Sequence, residues 1–157
     1  MRSLRLGIAV LVLVAAIGGT ALAGDTPWFD LHNCSMCKSL SSQAGLLEHT
    51  SWEQHPISNG IVSVTTVDPE HMKAFKAAQV EMEKVGARLQ GGEQMYLCGS
   101  CTALGVALMK GVQHETVATS QGSVWILTSA SPEVVAELQG WAKRNGKEME
   151  KMKSEKM

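Results

Sequence analysis

Asn59-Gly60-Ile61-Val62-Ser63-Val64 returns later in the chain as Gln121-Gly122-Ser123-Val124-Trp125-Ile126. In each stretch a polar residue and a glycine precede apolar residues at alternate positions, the period of a half-buried strand. Asn59-Gly60 suits the positive φ of a type I′ hairpin turn, and Gln121-Gly122 takes the same place in the later stretch. Val62 and Val64 then share one face, as do Val124 and Ile126, with Trp125 pointing the other way. Two further matches flank this one in the same order. Upstream, Cys34-Ser35-Met36-Cys37-Lys38-Ser39-Leu40 aligns without a gap on Cys98-Gly99-Ser100-Cys101-Thr102-Ala103-Leu104. Downstream, Pro69-Glu70 aligns on Pro132-Glu133. Three matches in one order identify an internal duplication.

Each copy reads as β-α-β-β-α. Trp28 to Leu31 and Glu93 to Leu97 are short strand candidates ahead of the two Cys pairs. A helix follows each pair, with Leu40, Ala44 and Leu47 on one face in the first copy and Leu104, Ala107 and Leu108 in the second. A hairpin comes next, and a long helix closes the copy. Asp68 and Pro69 start the first long helix, whose stripe is Met72, Phe75, Ala78, Met82, Val85 and Leu89, and Gly91-Gly92 stops it. Ser131 and Pro132 start the second, which continues through Val135, Leu138, Trp141, Asn145 and Met149. The tail from Lys147 onward alternates charge with methionine and is expected to fray. The predicted fold class is α+β: tandem βαββα repeats of ferredoxin-like order, 24–92 and 93–157, forming one unit with an antiparallel sheet covered by helices.

The N-terminus carries a different signal. Arg2 and Arg5 precede an apolar run from Leu6 to Ile17, and Ala21-Leu22-Ala23 supplies small residues at a cleavage position. A basic start, a short apolar core and an Ala-x-Ala site describe a signal peptide over 1–23. The product is expected in a periplasmic or secreted compartment, where disulfides persist. Cleavage removes two of the 14 basic residues, leaving 12 against 15 acidic, so nothing in the charge favours nucleic acid. No membrane attachment is expected after cleavage.

All four cysteines lie in the two Cys-x-x-Cys pairs, Cys34 with Cys37 and Cys98 with Cys101. Thiols one helical turn apart have three uses: ligating a soft metal, reversible disulfide chemistry, or a local staple. Four cysteines allow three disulfide pairings. If the copies pack about a pseudo-twofold axis, the four thiolates suit one tetrahedral Zn²⁺. Haem attachment is excluded, because Lys38 and Thr102 follow the pairs where His is required. His32, Met36 and Met95 lie close enough in sequence to be candidate further ligands. His49, His55, His71 and His114 share no ligand spacing.

The first copy resembles the heavy-metal-associated domains, ferredoxin-like βαββαβ modules with a Met-x-Cys-x-x-Cys metal loop. The stretch His32-Asn33-Cys34-Ser35-Met36-Cys37 resembles that loop, with His32 in the place of its Met. Asn59-Gly60-Ile61-Val62 and Asp68-Pro69-Glu70 fall where the family has its third strand and second helix. The resemblance implies a copper(I) or other soft-metal site on Cys34 and Cys37, extended by the duplication to Cys98 and Cys101. It also implies a metal-transfer partner protein, and an exposed sheet edge makes a homodimer a candidate assembly.

No nucleophile elbow, phosphate-cradling glycine loop or paired-carboxylate motif occurs, so no catalytic residue is assigned and any enzyme activity rests on the cysteines. The functional expectation is an exported copper(I)- or zinc-binding protein. The alternatives are a thiol–disulfide oxidoreductase and a disulfide-stapled module without catalysis.

Overall fold

The computed structural model describes residues 26–155; the expected signal peptide lies outside them. The chain is α+β. Helix α1 (Ser35–Ser41) leads into strands β1 (Thr50–Ile57) and β2 (Gly60–Val67), and a 3₁₀ turn at Pro69–His71 opens α2 (Met72–Gln90). Then α3 (Gly99–Met109), β3 (Gln113–Thr119), β4 (Gly122–Thr128) and α4 (Pro132–Ser154) repeat the order. The strands form one antiparallel sheet in the order β1-β2-β4-β3. Each copy gives one hairpin, and the hairpins meet along β2 and β4.

That central pairing obeys the duplication. Ser63 and Trp125, equivalent by sequence, are direct partners, and Val62 pairs with Ile126 as Val64 pairs with Val124. The ends close symmetrically: Val67 N–H donates to the Gln121 carbonyl and Ser129 N–H to the Asn59 carbonyl. The repeated glycines are part of this junction. A Cβ on Gly60 would fall on the carbonyl oxygen of Leu127 in β4, and one on Gly122 on that of Thr65 in β2. The β1–β2 turn itself is Ser58-Asn59, one residue earlier than the Asn59-Gly60 turn read from the sequence, with Ile57 opposite Gly60. Among the described residues no non-glycine φ is positive, so this turn is not type I′.

The leading strands expected at 28–31 and 93–97 do not form; each copy is αββα. Their backbone is used differently, because each segment crosses to the helix of the other copy. Ser35 N–H donates to the Tyr96 carbonyl at 3.0 Å, while Gly99 and Ser100 N–H donate to the carbonyls of Pro27 and Trp28 at 3.0 and 2.9 Å. Groups that a strand ladder would pair are thereby matched to the free N–H groups of a helix start.

Two apolar cores result. Ile61, Leu127 and Val112 meet Ala107 of α3 and Val134, Leu138 and Ala142 of α4. Leu46 and Val67 meet Phe75 and Ala78 of α2. Helix α4 lies on β1 and β2, where Gln139 donates to the Ile57 carbonyl and Asn145 to Gln54. Helix α2 packs on α1 instead, and every residue of β3 is exposed. The cover of the sheet is therefore unequal. The tail does not fray from Lys147 but stays helical to Ser154.

Candidate metal centre

The two Cys pairs begin α1 and α3. Cys34 and Cys98 are the N-cap residues, both with extended backbone (ψ 123° and 170°), and neither side chain caps its helix. An N-cap and the residue three positions on lie one above the other on a helix, so each pair presents two sulfurs to one side. The crossed leading segments hold the two helix starts face to face. Asp30 shapes the approach to Cys34: its carboxylate accepts the N–H groups of His32 and Asn33, at 3.2 and 2.9 Å, and its carbonyl accepts Cys34 N–H.

All four sulfurs consequently lie within 4.8 Å of one another. Cys37 Sγ is 3.6 Å from Cys98 Sγ and 3.8 Å from Cys101 Sγ, contacts that cross from one copy to the other. All four cysteines are free. A tetrahedron of sulfurs about 2.3 Å from a central zinc has edges of about 3.8 Å, so the cluster already has the size of a single-ion thiolate site. Cys34 and Cys98 are fully buried, while Cys37 and Cys101 are half-buried.

Four thiols this close cannot ionise independently. Hydrogen bonds from Cys101 and Cys37, helped by the backbone N–H groups of Cys37 and Cys98, hold the Cys34 thiol far below the usual thiol range. Cys37 receives a bond from Cys101 that favours its thiolate, but its bond to Cys34, burial and the neighbouring charge outweigh that and push it up. Cys101 is pushed up by its bonds to Cys34 and Cys37 and by burial. The arrangement thus accommodates one thiolate readily and resists more until a cation neutralises them.

Of the candidate ligands read from the sequence, the structure brings together Cys34, Cys37, Cys98 and Cys101. His32 is exposed in the Asp30 turn and is not one of the group. Met36 and Met95 are half-buried next to the pairs. The supporting residues went unrecognised in the sequence. Asn145 is 3% exposed, and its carbonyl accepts both Trp28 Nε1–H at 2.8 Å and the Ser100 hydroxyl at 2.9 Å. Trp141 Nε1–H reaches the Ser100 carbonyl at 3.1 Å. Ser100 stands between Cys98 and Cys101, so α4 clamps the second loop from behind. Gly99 brings that loop against Trp28, whose ring would lie 3.1 Å from a Cβ there. The sequence signal for Asn145 was a polar residue within an apolar helical stripe.

Among the described residues no helix is long and apolar enough to cross a membrane. Comparison with protein-family models, with curated proteins and with solved structures gives no match.

Proposed function

We propose that this chain is an exported soft-metal-binding protein whose four cysteines together hold one tetrahedral ion, zinc in preference to copper(I). The supporting observation is the convergence of two Cys pairs, distant in sequence, to a sulfur spacing that fits a tetrahedral thiolate set. Four thiolates in that geometry match zinc. Copper(I) shares the preference for sulfur, and the resemblance of the first loop to heavy-metal-associated domains implies it, but it does not call for a fourth thiolate. The signal-peptide pattern read at 1–23 supports a periplasmic or secreted setting.

The ion has a structural task in this reading. It joins the starts of α1 and α3, and so ties the small core under α1 to the larger core under α4. Metal binding then contributes directly to folding, since the unfolded chain holds no such site. Native mass spectrometry of the reduced chain tests this: one zinc per chain is expected, with Cys34→Ser losing at least tenfold in affinity. A reduced, folded chain that takes up no zinc when it is supplied contradicts the proposal.

A further inference from the structure

We propose that Cys37 is an oxidative modification site, at which a hydroperoxide replaces the metal brace by a disulfide between the two copies. This rests on the metal-centre reading and adds a regulation to it. The four cysteines are not equally reachable. Cys34 and Cys98 are fully buried, so an oxidant meets Cys37 or Cys101 first. The Cys37 sulfur is in van der Waals reach of two sulfurs of the other copy, Cys98 at 3.6 Å and Cys101 at 3.8 Å. A disulfide needs about 2.05 Å, so the sulfurs must close by a little under about 2 Å from their present contacts.

The chemistry balances with one hydroperoxide. The Cys37 thiolate attacks the O–O bond; an S–O bond forms, the O–O bond breaks, and the departing oxygen leaves as alkoxide or hydroxide and takes up a proton. The Cys98 or Cys101 thiolate then attacks the sulfenic sulfur; the S–S bond forms, the S–O bond breaks, and hydroxide leaves and is protonated to water. The two sulfurs give up two electrons, which the peroxide accepts. Two of the four thiolates are gone, and the remaining pair holds the cation far more weakly. Yet the starts of α1 and α3 stay joined, now by a covalent bond spanning 61 or 64 residues of sequence. Oxidation would thus release the ion while keeping the two copies locked together.

The test uses the full reduced chain loaded with zinc, treated with one equivalent of hydrogen peroxide. Released zinc is followed with a chromophoric indicator, and tryptic peptides are mapped without reduction. The expected result is nearly complete zinc release together with a crosslink between the peptide ending at Lys38 and peptide 89–110, fragmenting to Cys37 with Cys98 or Cys101. Cys98→Ser, which keeps three thiolates, is expected to crosslink through Cys101 alone. Zinc retained after peroxide overturns the proposal and leaves the metal centre standing. Disulfides formed only within each Cys pair do the same. A chain that binds no zinc before oxidation overturns both.

Discussion

At the residue scale, the site depends on groups that do not touch the sulfurs. Asn145 uses both ends of its amide: Oδ1 accepts from Trp28 and Ser100, and Nδ2 donates to Gln54 at 3.1 Å. Asn145→Ala leaves a buried hydroxyl and an indole N–H without their acceptor, and each such loss costs about 1–3 kcal/mol. Thermal or urea denaturation of the variant should show a loss of about 3 kcal/mol, while Asn145→Asp, which keeps the acceptor, should lose less of the Trp28 contact. A second residue-scale expectation concerns protons. Cys37 and Cys101 are raised above the usual thiol range and so carry protons at neutral pH. A cation held by all four sulfurs must displace at least these two protons, so affinity rises with pH, by at least about a hundredfold per pH unit. Chelator competition between pH 6.5 and 7.5 measures this; a pH-independent affinity would contradict it. The cysteines were legible in the sequence because a duplicated Cys-x-x-Cys has few uses. Asn145 was not, since its partners are set by crossings that no local pattern encodes, whereas Asp30 was passed over although its partners His32, Asn33 and Cys34 are local, as in an Asx turn.

At the element scale, the hairpins and long helices were readable from alternation and from the 3.6-residue stripe. Two features were misassigned for a shared reason. The short segments at 28–31 and 93–97 resemble strands, but the Trp28 and Tyr96 carbonyls are taken up by helix starts in the other copy. The repeated glycines resemble turn residues, but their role is close approach of β2 to β4. In both cases a non-local contact decides what a local pattern leaves open. In α4, too, the buried face runs through Val134, Leu138, Ala142 and Asn145, with Val135 and Trp141 at its margin. Gly60→Ala tests the junction. Its methyl group meets backbone rather than a flexible side chain, so a loss of about 3 kcal/mol is expected. Chemical denaturation reads this directly, and a change within about 0.5 kcal/mol of zero, typical of a neutral surface position, would mean that Gly60 serves no such purpose.

At the scale of the whole molecule, two αββα copies share one sheet about a pseudo-twofold relation and diverge in their helices. Helix α4 binds the sheet and buries Leu138 completely, whereas α2 stays with α1 and leaves β3 uncovered. The smaller α1–α2 core is joined to the rest through β2, through the crossed leading segments and through the sulfur cluster. A cation at that cluster would bind the less supported copy to the better supported one. The repeated element order was visible in the sequence, and a four-cysteine cluster followed from it on the condition that the helix starts meet. The unequal helix packing had no sequence signature, because both stripes are similarly apolar.

The most direct measurement of the central claim is X-ray absorption at the metal edge of the zinc-loaded, reduced protein. Four sulfur neighbours at about 2.3 Å are expected for a tetrahedral thiolate site. A first shell containing nitrogen or oxygen in place of any of the four sulfurs would contradict it.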